Sequence, residues 1–195
     1  MSAPHNAPPP SGPATPSVDT TGIPGLLVVR QVVEHDERGW FKQGFDRDAF
    51  VEQGFPPDFV VVGERMSDVG RRGFTRGIHA DWVSKYVGLP RGEAFAAFVD
   101  LREGASFGRV ETVRLTPAVS VFIPWGVGNS YQTLSDGLIY SYLEERRTTD
   151  APAVRLALDD PDLAIAWPIP ISEAILLPDD RDQPRLRAVE PVVSR

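Results

Sequence analysis

What most constrains this chain is a succession of short apolar segments, each closed by turn chemistry. Residues 26–33, 59–65, 82–89, 94–101, 110–115, 120–124, 130–134 and 138–144 follow one another at the spacing of strands in a sandwich or barrel. Val119, Val121 and Ile123 alternate with Ser120 and Phe122, and Val113 and Leu115 flank Arg114, which is a period of two rather than 3.6. Pro90-Arg91-Gly92, Arg102-Glu103-Gly104, Thr116-Pro117 and Ser135-Asp136-Gly137 supply turns between them. Helical signal is confined to residues 46–53, where Asp46 can cap and Gly54 can stop a helix, and to a brief stretch at 172–176 among Pro161, Pro168, Pro170 and Pro178. The expected fold is all-β, a barrel or jelly roll with a few short helices.

The 195 residues suffice for one domain with a tail. Residues 1–21 carry Pro4, Pro8, Pro9, Pro10, Pro13 and Pro16 among small polar residues and have little to bury. They read as a disordered extension, with a single domain over 22–190 and a short tail over 191–195. A formal charge of -7 argues against nucleic acid as a partner. No apolar run nears the ~18–20 residues that cross a bilayer, and the start of the chain lacks the basic-then-apolar pattern of a secretory signal. The expected compartment is the cytoplasm, with no membrane partner. The chain has no cysteine, which removes thiolate nucleophiles, disulfides and Cys-based zinc sites. Of its histidines, His5 lies in the extension and His35 beside Asp36 and Glu37 in a polar turn, leaving His79. A metal centre needing several imidazoles is therefore not expected, nor any other cofactor. Glycine-rich nucleotide loops are absent as well.

The most informative segment is Arg76-Gly77-Ile78-His79-Ala80-Asp81, followed by Lys85. In a regular strand the even offset puts His79 and Lys85 on one face and the odd offset turns Arg76 away, unless a bend at Gly77 restores it. Taken alone, these residues read as a satisfied core histidine and two surface cations. Against that stands the rarity of lysine: Lys42 and Lys85 are the only two among twenty Lys and Arg residues, so a lysine kept at 85 suggests a need for lysine itself.

Read in order, the chain resembles the dTDP-4-dehydrorhamnose 3,5-epimerase family, cupin-fold epimerases of nucleotide-linked 4-keto-6-deoxy sugars. The resemblance is carried by Asp36-Glu37-Arg38-Gly39-Trp40-Phe41 (D-x-R-G-x-F), Arg76-Gly77-Ile78-His79 (R-G-[LI]-H) and Lys85. It continues through Val99-Asp100-Leu101-Arg102 with Ser106-Phe107-Gly108, Ile123-Pro124 with Gly126, Tyr142, Asp160-Pro161 with Leu163, and Trp167-Pro168, over residues 25–186. It implies a cupin-type jelly roll, a homodimer, and no metal or cofactor. It also implies roles: His79 as base, Asp180 as its orienting carboxylate (Asp179 and Asp182 being too near to exclude), and Tyr142 as acid, with Tyr140 the alternative on the same strand face. Arg76 and Lys85 match positions that stabilise charge at the sugar or diphosphate, and Arg38 and Phe41 match the nucleotide-contacting segment.

The chemistry suits that inventory. Epimerisation beside a ketone removes an α-proton and returns one to the other face. A neutral imidazole can take the proton near neutral pH, a carboxylate behind it fixes the tautomer, and a cation such as Lys85 stabilises the enolate. The chain also departs from the family. Asn129 stands where P-x-G-x-x-H-G-F has its second histidine, Glu64-Arg65-Met66-Ser67-Asp68 replaces N-x-S-x-S, Leu177 replaces a serine, and Thr148 replaces a further tyrosine. An amide can bind a phosphate or hydroxyl but cannot shuttle a proton. The expectation is thus a divergent isomerase acting at C3, C5 or both of a nucleoside-diphosphate (dTDP in the family) keto sugar. The rivals are a nucleotide-sugar-binding cupin without turnover and, more weakly, a metallo-cupin oxygenase.

Overall fold

The computed structural model describes residues 15–146 and 154–193. Its strands are β1 (Ser17–Thr20), β2 (Leu27–Arg30), β3 (Glu34–Asp36), β4 (Gly39–Phe41), β5 (Gly63–Val69), β6 (Phe74–Ala80) and β7 (Lys85–Arg91). They continue as β8 (Ala94–Asp100), β9 (Val110–Leu115), β10 (Val119–Ile123), β11 (Val127–Thr133), β12 (Leu138–Glu144), β13 (Val154–Arg155) and β14 (Ile175–Leu176). A helix, α1 (Arg47–Val51), precedes β5, and single 3-10 turns lie at Ile171–Glu173, Pro178–Asp180 and Leu186–Ala188. One sheet runs β1-β2-β10-β7-β12-β5 and the other β13-β6-β11-β8-β9, with β14 beside β6; β3 and β4 form a separate hairpin. The two sheets pack face to face as the expected jelly-roll barrel.

Period-two alternation sets the layers. Val121 and Ile123 of β10, Ala96 and Phe98 of β8, and Val87 and Leu89 of β7 point between the sheets and form the interior with Leu115 and Leu138. Phe122 points out from β10 into an aromatic cluster of Phe50, Phe55, Phe59 and Tyr86, with Phe45 packed edge-on at its centre. Behind the other sheet, Ile78, Val99 and Leu101 meet Leu156, Leu158 and Leu163 of the C-terminal segment. Each such side chain, fully buried, contributes ~1.5–3 kcal/mol, so the outer clusters hold the helix and the C-terminal segment against the barrel. Asp46 caps α1 as expected, its Oδ1 accepting from the Ala49 N–H at 3.2 Å.

Several expected boundaries move. Ser17–Thr20 pair antiparallel with β2, so ordered structure begins inside the extension expected over residues 1–21; residues 1–14 lie outside the described residues. Val192, placed in the tail, is buried and bridges Arg102. The strand expected over 59–65 is instead β5, which pairs along β12 from Gly63↔Glu144 to Val69↔Leu138. Only Val69 of β5 is buried, so this polar edge strand is held by its ladder and escapes an apolar-run criterion, while Val60, Val61 and Val62 are exposed. β7 runs on through Arg91, past the expected turn at Pro90, and the stretch at 172–176 divides into a 3-10 turn and β14.

Candidate active site

The site is built on a defect in β6. Across the β6–β11 pair, Asn129 faces His79 and Tyr131 faces Arg76, so two steps on β11 match three on β6. The extra residue is a β-bulge, and it turns Arg76 onto the face of His79, where a regular strand would separate them. Gly77 makes the bulge possible: its φ is +106°, and a Cβ there would stand 2.6 Å from the Asn129 carbonyl oxygen and 2.7 Å from Ser130 Cβ. Strand parity does not relate Lys85 to His79, because β6 and β7 belong to different sheets. His79 and Lys85 nevertheless line the same cavity, from opposite walls.

Asp180 enters from the 3-10 turn Pro178–Asp180, which lies against β6. Its carboxylate is wholly buried. Oδ2 accepts from Arg76 Nε at 2.6 Å, and Oδ1 lies 3.4 Å from the Gly77 N–H and 2.9 Å from His79 Nε2. The His79 contact has charge-pair distance but lacks the alignment of a hydrogen bond, and Nε2 has no other partner among the described residues. Burial pushes the Asp180 carboxyl up, yet His79 and the Arg76 guanidinium outweigh it and hold the group below the usual carboxylate range. Asp180 thus stays ionised behind the imidazole. Of the three carboxylates left open by the sequence, Asp180 rather than Asp179 or Asp182 is the one paired with His79 and Arg76.

The facing wall carries Lys85 and Val87 of β7, Tyr140 and Tyr142 of β12, and Ser67 of β5. Lys85 Nζ is ion-paired with Asp81, in the turn after β6, and lies 5.2 Å from the centroid of the Tyr142 ring. Tyr131 of β11 stacks on Tyr140 with centroids 4.2 Å apart. Burial pushes the Tyr131 phenol up to about 12 and the Tyr140 phenol higher still. The cavity holds about 130 Å³. That is below the ~300–1,000 Å³ of pockets that engulf a drug-sized ligand, so it has room for one ring and leaves any larger part of a ligand at the rim.

His79, Arg76, Lys85, Tyr142 and Asn129 are therefore brought together around one cavity, with Asp180 behind His79 and Arg76. Arg38 and Phe41 are not. Arg38 is exposed and paired with Asp36 at 2.6 Å, and Phe41 lines a separate hollow with Lys42, Gln31 and Phe50. The motif Val99-Asp100-Leu101-Arg102 with Ser106 turns out to be structural: Asp100 accepts from Arg102 and Ser106 at a loop corner. Trp125 and Trp167 pack against the C-terminal cluster. Thr148 lies outside the described residues. Sequence reasoning missed Ser67, Asp81 and Tyr131 as lining residues. Two of them had a signal, since Asp81 is four residues before Lys85 and Tyr131 alternates with Asn129 in β11.

A protein-family model described as dTDP-4-dehydrorhamnose 3,5-epimerase matches residues 20–188. The chain is 35% identical to a protein of Streptococcus pyogenes serotype M6 named as an RmlC homolog, covering 87% of this chain and 89% of that one. It is 32% identical to a dTDP-4-dehydro-6-deoxyglucose 3-epimerase of Streptomyces bikiniensis, covering 86% and 88%. Among solved structures, RmlC from Streptococcus suis in complex with dTDP-D-xylose superposes with a TM-score of 0.86 at 32% identity, covering 92% of this chain and 95% of that one.

Proposed function

The chain belongs to the dTDP-4-dehydrorhamnose 3,5-epimerase family, and from that premise we propose that it is an isomerase of a dTDP-linked 4-keto-6-deoxy sugar with His79 as its base. The observation that carries the assignment of His79 is the imidazole in the cavity wall with a buried, ionised carboxylate 2.9 Å behind it. His79 takes the proton α to the ketone, and the C–H electron pair moves to the carbonyl oxygen. Asp180 stabilises the imidazolium, and Lys85 stabilises the enolate oxygen. Tyr142, on the opposite sheet, returns a proton to the other face of the same carbon. The imidazolium and phenolate then exchange with water, so no atom is gained or lost. The reaction requires no cofactor.

The size of the cavity supports a sugar inside and a nucleotide across the rim. Arg38 and Phe41 stand outside the cavity of their own chain, so their assignment to the nucleotide is retained only with a second copy. A homodimer is supported by the exposed apolar residues Trp40, Phe41, Val60, Val62 and Met66 and by the open edge of β5. Among the described residues no helix is long and apolar enough to cross a membrane, and we assign the protein to the cytoplasm.

Incubation with the dTDP-linked keto sugar in D2O, followed by mass, tests the reading. Two incorporated deuterons mark epimerisation at both C3 and C5, and one marks a single centre, the activity named for the Streptomyces bikiniensis relative. Tight binding without deuterium would establish the non-catalytic alternative and overturn the assignment of His79 as a base.

A further inference from the structure

Resting on the epimerase reading, we propose that Tyr140, positioned by Tyr131 and accompanied by Asn129, is a specificity residue that hydrogen-bonds a ring hydroxyl of the substrate. Tyr140 is 4% exposed and lines the cavity, yet among the described residues its hydroxyl makes no well-aligned hydrogen bond, the Asn129 amide being close but not in bonding geometry. A buried phenol left unsatisfied is costly, so a built cavity that keeps one is completed by what enters it. The Tyr131 ring lies nearly parallel to it, at 19°, and limits the directions the hydroxyl can take. The Asn129 amide is its polar neighbour on β11 and offers both a donor and an acceptor.

Tyr140, Tyr131 and Asn129 carry no charge, although Asn129 faces His79 and Tyr131 faces Arg76 across the β6–β11 pair, whereas the groups suited to the reacting carbon and ketone are charged: His79 with Asp180, and Lys85 with Asp81. Phenol and amide match a hydroxyl, which both donates and accepts, better than they match an enolate. In a 4-keto-6-deoxy sugar joined to phosphate through C1, the remaining hydroxyls are at C2 and C3. Tyr140 therefore reads one of these two, and the protein discriminates against nucleotide sugars that lack it.

The test measures kcat/KM for solvent-deuterium uptake by the wild type and Tyr140→Phe with the hydroxylated dTDP-keto sugar and its 2-deoxy and 3-deoxy analogues. The wild type should prefer the hydroxylated substrate over one analogue by roughly tenfold to a hundredfold, and Tyr140→Phe should abolish that ratio. Because the hydroxyl makes no well-aligned hydrogen bond among the described residues, the variant should melt no lower than the wild type. A preference unchanged in Tyr140→Phe, or no preference in an active wild type, overturns the proposal. A fall in melting temperature with the ratio intact would show that Tyr140 holds structural water instead. A wild type that takes up no deuterium from any substrate refutes the epimerase reading, a result separate from these.

Discussion

Asp100 and Asp180 are both wholly buried carboxylates paired to an arginine, yet one is a clamp and the other belongs to a site. Around Asp100 every direction is filled. Arg102 Nε and Nη2 donate to it at 2.8 and 2.7 Å, the Arg102 N–H at 3.2 Å and Ser106 Oγ at 2.8 Å. Around Asp180 the arginine is again close, but the second partner is an imidazole in a cavity wall whose contact lacks hydrogen-bond alignment. Satisfied polar groups stabilise a fold, and a group held short of satisfaction is available for a proton or a ligand. Arginine pairing in the sequence does not separate the two cases; the remaining partners do.

The largest effect should come from the unsaturated side. His79→Gln removes the proposed base and should lower kcat by roughly 10²–10⁴-fold, with folding retained. Asp180→Asn should also act mainly on kcat, since Arg76 and His79 both keep some access to solvent. The opposite pattern is expected at the clamp. Asp100→Ala leaves Arg102 without its carboxylate and should cost about 3–5 kcal/mol, seen in denaturant melts, while kcat of the folded fraction stays near that of the wild type. If Asp100→Ala lost turnover in proportion to Asp180→Asn, the contrast between the two carboxylates would fail.

Gly77→Ala joins the two regions, because it addresses backbone and chemistry together. A φ of +106° and a Cβ 2.6 Å from a backbone oxygen should cost at least about 1–3 kcal/mol, and relaxation of the bulge should separate Arg76 from His79. Stability and kcat should fall together, which neither carboxylate variant does. This position also marks the limit of what the sequence made legible. Alternation along β10 and β9 identified strands because each face there meets a different layer. His79, Asp180 and Tyr142 became candidates through the order of motifs along the chain, not through alternation. The register shift at Gly77 has no signature in residue type beyond the glycine, so strand parity alone sent Arg76 to the wrong face. Offsets along the chain likewise could not reveal that Lys85 had crossed to the other sheet at the turn through Asp81. The polar strand β5 was displaced because its ladder, rather than apolar burial, holds it. The Arg38–Phe41 segment was recognisable as a motif, but it folds as a separate hairpin away from the His79 cavity, which its sequence does not encode.

The smallest effect separates the carboxylates by pH. Burial raises the Asp100 carboxyl, but Arg102 and Ser106 outweigh it, so Asp100, like Asp180, sits below the usual carboxylate range in the fold. A folded pKa below the unfolded one contributes stability that is complete above the unfolded value of about 3.9 and is lost as pH falls through the lower folded value. The wild type should therefore weaken on acidification below about pH 4. Asp100→Asn should flatten that acid limb, because the amide carries no titrating proton while keeping most of the side chain's shape. Asp180→Asn should flatten it too, and His79 distinguishes them: in His79→Gln, Asp180 loses the imidazole that helps to depress it, so its share of the acid limb shrinks, whereas the share of Asp100 is untouched. Equal acid limbs in wild type and His79→Gln would mean that Arg76 alone holds Asp180 ionised, and that the imidazole contact is geometric rather than energetic.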